Sequence, residues 1–570
     1  MPPRRPPWLV VLPSRSNAGL ILRPSSGGVM RLLFILLFLL PLAGAAAAQP
    51  GPAPARQIAE TRGDALLAGF TRDKPGLAVL VARGGQVIYE RDLGAADLEH
   101  AAPVTPATRF HIASVSKQFT AFAILQLAQA GKVDLDADIR RYLPELPDYG
   151  ERITVSDLVH HTSGLRDQWE LEILSGTAID SAIRHKAILA MAASQKGLNF
   201  APGTDFRYCN TGYSLLAEIV ARTSGVSFKQ YMREHVFGPL GMNDTLVYDD
   251  AADLLPNRAM SYSVGPAGVV RLARLNYSNY GATSVHTTTR DLLKWSRELL
   301  HPAVFDPALV RAAEQPGRLR DGRPLNYGFG MAVLPVGGHP ALTHSGADAG
   351  YRSLIASFPA EDATIVVLSS GAADVGKIGD DLAEAFLGPV PPPATVAADP
   401  ARIVRLAGYY VNDWTPGFEL RPDNGKLYFQ LGLLRREVSF LPDGRFYVFS
   451  PLGTYRLRPD GTIEEHIALS GLTVLHRPAQ RVTPSAAELA SLAGAYHSDE
   501  LDVTYRLAVR GAAVVLSSLR SDPIPFFAAD ADHFENPQAR LTVLRDASGK
   551  VTGLTIATGR IKGLVFARTP

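Results

Sequence analysis

From Phe119 to Ala128 the chain reads FTAFAILQLA, apolar nearly all the way round, which predicts a helix buried on every side. Gly131, with Lys132 beside it, supplies the stop. A second apolar run at helical spacing, Tyr213 to Val220, follows the turn signals Pro202-Gly203 and Asn210-Thr211-Gly212. Elsewhere the period falls to that of strands. Tyr351–Phe358 and Ala363–Ser369 flank Pro359-Ala360-Glu361-Asp362 as a hairpin, and GLAVLVARGGQVIYERDLG, from Gly76 to Gly94, forms an earlier one.

After Gly388 a stiff Pro-rich stretch, residues 389–400, separates this mixed region from a different pattern. Short alternating runs are divided by Asn424-Gly425, Asp443-Gly444 and Asp460-Gly461, all hairpin signals. Leu406-Ala407-Gly408-Tyr409-Tyr410 is echoed by Leu492-Ala493-Gly494-Ala495-Tyr496, and the endings LTVLHRP and KGLVFART are also alike. Two small antiparallel barrel-like units are expected, at 401–480 and 484–570.

With 570 residues, 46% of them hydrophobic, the chain has room for several domains. A net charge of +2 without a basic stripe argues against nucleic-acid binding. The single cysteine, Cys209, excludes an internal disulfide framework and is expected to pack rather than react. Residues 1–29 have no plausible core and are expected to be untranslated or disordered. Residues 30–48 open on Met30 and Arg31, continue with an apolar stretch to Leu42 and end in small residues. They read as a secretory signal peptide cut after Ala48, which implies a bacterial periplasmic or secreted protein with no stable membrane insertion afterwards. An uncleaved anchor is the alternative.

Three separated pieces carry chemistry. Ser114-Val115-Ser116-Lys117 places Ser114 and Lys117 three apart, on one face of the helix start, where free N–H groups favour an oxyanion. Ser-x-x-Lys alone arises by chance roughly once in a chain this long, so order and context decide. Tyr208-Cys209-Asn210 lies on a loop entering a helix, with Tyr208 and Asn210 facing one way. His344-Ser345-Gly346 precedes the later hairpin, on an expected edge strand lining the cleft. Gly346 would let a substrate backbone approach, and the N–H of Ala347 would pair with that of Ser114 as an oxyanion hole. Neither a cofactor nor a metal site is expected.

In that order and context, residues 56–388 resemble the serine β-lactamase-like superfamily, in the branch of class C β-lactamases, D-Ala-D-Ala carboxypeptidases, D-aminopeptidases and related esterases. Phe110 to Ala113, LVHHTSGL (Leu158–Leu165), Thr288-Thr289-Arg290-Asp291 as a capping box and Tyr327-Gly328-Phe329-Gly330-Met331 support it. The resemblance implies an α+β fold: an antiparallel sheet with flanking helices and a helical lobe, followed here by the two barrel-like domains. It implies that Ser114 is acylated, that Lys117 and Tyr208 transfer protons, and that Asn210, His344, Ser345 and Gly346 bind substrate. D-Aminopeptidases of this branch share the three-part layout, with a barrel loop reaching the cleft. Ser521 to Pro537 is the candidate here.

The expected activity is an acyl-enzyme serine hydrolase acting on small peptides or amides with a D-residue. An esterase or a catalytically idle module are the alternatives. His344 stands where β-lactamases carry Lys. As an ordinary histidine it would be mostly neutral near pH 7, and affinity for substrate carboxylates would rise as pH falls toward about 6.

Overall fold

The computed structural model describes residues 54–569, apart from 179, 266, 267 and 520. The expected signal peptide at 30–48, and the segment before it, lie outside the described residues.

Six strands form the central sheet: β1 (Leu77–Arg83), β2 (Gln86–Leu93), β3 (Ala332–Val336), β4 (His339–Asp348), β5 (Tyr351–Phe358) and β6 (Ala363–Ser369), in the antiparallel order β3-β4-β5-β6-β1-β2. Both predicted hairpins are here. β1 shows why its sequence is continuously apolar. Leu77, Val79 and Val81 pack toward the terminal helices, α1 (Pro54–Leu67) and a later one at Val375–Leu387. Ala78, Leu80 and Ala82 face the opposite core. A strand covered on both sides has no polar face to alternate.

The opposite core holds α2 (Lys117–Gln129), α4 (Asn210–Ser224) and α5 (Thr289–Leu300), whereas α3 (Gln168–Leu174) sends Leu171 and Leu174 into the core of the C-terminal closed barrel. Ten residues of α2, Lys117 among them, are buried, as the all-round apolar run predicts. At the start of α5, Thr288 accepts from the Asp291 N–H, but the Asp291 carboxylate turns to Asp244 and Thr245. That box is therefore closed on one side only. β4 is not an edge strand over its whole length. β3 pairs with it from His339 to Thr343 and then stops, so the edge opens at His344.

Beyond the sheet, nine strands between Gly408 and Ala479 form a nearly closed barrel, its two edge strands, Leu434–Glu437 and Ser439–Phe440, consecutive in the chain. Eight strands between Gly494 and Arg568 close fully. The internal repeat has a structural counterpart. In each barrel a short helix leads into a first strand that pairs with the last, Tyr410 with Pro478 and Tyr496 with Arg568. The Tyr410 hydroxyl donates to the Leu406 carbonyl at 3.0 Å, and Tyr496 makes the same bond to Leu492 at 2.6 Å.

Ser521–Pro537 is not a loop into the cleft. It contains the strands Ser521–Ala528 and His533–Glu535, and faces the other barrel. Glu535, buried, is bound by Arg540 at 2.5 Å and accepts from Tyr409 and from the Gly417 N–H. The segment's short strands and acidic residues hid this role, because a buried carboxylate pairs across an interface that sequence does not display.

Candidate active site

Ser114 sits in a 3-10 turn, Ala113–Ser116, leading directly into α2. Ala113 just before it has φ +47°, a left-handed conformation costly for a residue with a Cβ and of the kind found where function imposes the backbone. Ile112 and Ala113 press against β4. A Cβ on Gly346 would come within 2.4 Å of the Ile112 carbonyl and 2.3 Å of Ser353 Oγ. Gly346 is therefore small because the nucleophile turn packs on it, rather than to admit a substrate backbone as expected. Similarly, Gly330, at φ +76°, lets its loop lie on the Lys117 backbone, which explains the Tyr327–Met331 motif.

Lys117 is completely buried, and its Nζ lies 2.8 Å from Asn210 Oδ1, 2.8 Å from the Ala282 carbonyl and 3.2 Å from Ser114 Oγ. Burial lowers its pKa to about 7, with Asp167 opposing and Arg560 reinforcing the shift. The geometry specifies what the neutral amine does. Asn210 Oδ1 and the Ala282 carbonyl can only accept, so they take its two N–H groups and leave the lone pair for the Ser114 hydroxyl. Asn210 is oriented in turn by Asp167, whose Oδ2 accepts from Asn210 Nδ2 at 2.8 Å and from the Asn210 N–H at 2.6 Å.

Tyr208 precedes α4, against His161, with ring centroids 4.3 Å apart. Its hydroxyl is buried and makes no full hydrogen bond among the described residues, although Ser114 is near enough to act on it. Burial raises its pKa well above the ordinary phenol range, Ser114 and Arg560 opposing only in part, so the phenol stays protonated. Cys209 is buried, its thiol pushed up to about 12 by desolvation, and it packs as expected. Ser116, the nearest rival nucleophile, is also buried and accepts from the Val285 N–H at 3.2 Å.

His344 differs from expectation. Its Nδ1 lies 2.6 Å from the Ser345 carbonyl, which can only accept, so that nitrogen carries the proton. Nε2, 3.1 Å from the Tyr327 hydroxyl, accepts from it. Burial, with Lys117 next, lowers the His344 pKa to about 3. The imidazole is thus neutral throughout the range in which it was expected to gain a charge.

Two cavities meet at Ser114, Tyr208, Ala347 and Arg560. The larger, about 460 Å³, has apolar walls including Leu334, Leu354, Leu452 and Leu469, and also holds His344 and Ser345. The smaller, about 260 Å³, is bordered by Asn210, Trp169, Tyr277 and Asp348. Ser114 and Ala347 line both, the placement an oxyanion hole needs. Among the described residues no group of three or more His, Cys, Asp or Glu is arranged to hold a metal ion.

Sequence reasoning missed Asp167 and Arg560. Asp167 is fully buried and caps α3 by accepting from the Trp169 N–H at 3.1 Å, so a helix-start signal was its only trace. Arg560 arrives from a turn of the closed barrel, between strands Val551–Thr558 and Leu564–Arg568. This turn, not Ser521–Pro537, reaches the cleft.

Residues 55–387 match the Beta-lactamase family. The chain belongs to it. This makes the protein a serine hydrolase of the β-lactamase superfamily, which includes aminopeptidases, amidases and esterases. A D-aminopeptidase of Brucella melitensis is 28% identical over 527 residues, spanning 87% of this chain and 96% of its own. The fold is shared with a penicillin-binding protein homologue from Pyrococcus abyssi, with TM-score 0.52 and 23% identity over 73% of this chain and 98% of that one. It is shared also with D-amino acid amidase from Ochrobactrum anthropi, with TM-score 0.50 and 23% identity over 59% of this chain and 99% of that one. Among the described residues, no helix is long and apolar enough to cross a membrane.

Proposed function

We propose that this chain is an exported peptidase or amidase that cleaves substrates with a D-residue at the scissile carbonyl, through an acyl-enzyme on Ser114. The observation that carries the substrate class is the similarity to a D-aminopeptidase across catalytic region and barrels alike, over 87% of the chain. Signal cleavage after Ala48, a catalytic domain at 56–388 and barrels at 401–480 and 484–570 belong to the same proposal.

The site geometry supports a specific division of labour. Neutral Lys117 takes the proton from Ser114 Oγ as it attacks the carbonyl carbon. The N–H groups of Ser114 and Ala347 receive the oxyanion. Tyr208, held protonated, passes a proton to the leaving amine and is resupplied from Lys117. Water then attacks the ester carbonyl and releases the acid. Two titratable groups with pKa values driven apart by burial, one downward and one upward, suit a base and an acid that work together at neutral pH.

The test is a panel of D- and L-amino amides and dipeptides with wild type and Ser114→Ala. D-selective hydrolysis, lost in Ser114→Ala together with phosphonate labelling at Ser114, is the expected result. Preference for L-substrates would overturn the substrate class. Labelling that survives in Ser114→Ala would overturn the nucleophile.

A further inference from the structure

Arg560 has no part in the acyl-transfer steps, yet it borders both cavities. Its turn is fastened to the catalytic lobe on two sides. The Arg560 N–H donates to Glu170 Oε2 at 3.0 Å, and the Thr558 hydroxyl donates to the same carboxylate. Asn199 donates to the Arg560 carbonyl at 2.9 Å and accepts from the Lys562 N–H at 2.8 Å. These bonds fix the backbone of the turn, and from it the guanidinium lies 5.2 Å over the Tyr208 ring.

The guanidinium itself is under-used. Its ion pair with Asp167 is long, at 3.8 Å, and both Asp167 oxygens are already engaged by Asn210 and Trp169. It makes no side-chain hydrogen bond among the described residues and remains 40% exposed. Five N–H donors in a planar fork at the junction of two substrate-sized cavities match a carboxylate. Competing cations are occupied or absent. Arg352, on the smaller cavity, donates to the Ala349 and Tyr351 carbonyls, and His344 is neutral.

We propose that Arg560 is the anion anchor of this cleft, so that preferred substrates carry a carboxylate beside the scissile bond, as a dipeptide does and a simple amide does not. The proposal rests on the Ser114 acyl-enzyme reading and deepens it: the second barrel becomes the element that selects substrates. Two lesser roles compete. They are depressing the Lys117 pKa alone and fastening the barrel alone, and either would affect substrates with and without the carboxylate equally.

The experiment compares wild type, Arg560→Gln and Arg560→Lys. One substrate pair is a D-D dipeptide and its C-terminal amide, read as kcat/KM. The second is a pair of fluorophosphonates with and without a terminal carboxylate, read as the rate of Ser114 labelling, which needs no turnover. Arg560→Gln is expected to lower the ratio of the carboxylate-bearing member to the carboxylate-free one by about tenfold to a hundredfold, mainly through KM, with Arg560→Lys recovering part. An unchanged ratio in both pairs, including equal losses on both members, would overturn the anchor while leaving the acyl-enzyme intact. Failure of both phosphonates to label wild-type Ser114 would overturn the acyl-enzyme reading and the anchor with it.

Discussion

Asp167→Asn isolates the charge that sets the Lys117 base. Asp167 reaches Lys117 through one side chain, Asn210, bonded to each at 2.8 Å. That bridge puts the carboxylate roughly 7 Å from the amine, and a unit charge there at an effective dielectric constant near 20 is worth about 2 kcal/mol, or between one and two pH units. The negative charge favours the ammonium form, so removing it lowers the Lys117 pKa from its value of about 7. A general base acts deprotonated, so the acid limb of kcat/KM should move down by about one to two pH units. The assay is a pH–rate profile on a carboxylate-free D-amino amide, run in wild type and Asp167→Asn from about pH 4.5 to 9 so that the titration of the substrate's own amine cancels. A second effect opposes recovery of full activity. Asn offers one acceptor oxygen where Asp167 offers two, and its own N–H groups would face the Asn210 or Trp169 donors. The lost charge-assisted bonds should cost about 2–4 kcal/mol of stability, seen as a lower Tm. An acid limb that stays in place or moves up, in protein with an intact circular dichroism spectrum, would remove Lys117 as the base.

Two further outcomes follow from packing and burial. Gly346→Ala should destabilise the protein by about 1–3 kcal/mol and depress activity on every substrate alike, since the new Cβ meets the Ile112 backbone. A loss confined to bulky substrates, with Tm unchanged, would restore the substrate-approach role. Any rise in the binding of carboxylate ligands between about pH 7.5 and 5.5 should persist in His344→Gln, because His344 stays neutral until about 3 whereas Lys117, with a pKa of about 7, is the group that gains charge there. A rise that disappears in His344→Gln would contradict that burial.

The three chemical pieces were visible in sequence because each is local. Ser114 and Lys117 are neighbours on one helix turn, and Tyr208 and Asn210 are two apart at a helix entry. His344 lies in the strand before the hairpin that Pro359 and Asp362 mark. What failed were statements about surroundings. Gly346 was read as room for a substrate backbone, when the Ser114 turn packs against it. His344 was given an ordinary titration, when burial next to Lys117 suppresses it. Ser521–Pro537 was chosen as the cleft loop for its weak strand pattern, and it proved to be sheet around a buried Glu535–Arg540 pair.

Periodicity and turn residues alone determined the buried α2, the two hairpins and the repeated Leu-Ala-Gly unit that opens each barrel, because these follow from backbone preference and from which side chains avoid water. Tertiary structure decided which groups surround Ser114. Asp167 and Arg560 come from a helix cap and a barrel turn remote in the chain from Ser114. Each is an ordinary charged residue until folding withdraws water from one and suspends the other between two cavities. Desolvation and charge proximity are properties of position in space, and they alone bring the Lys117 pKa to about 7 and set the Arg560 guanidinium beside both cavities.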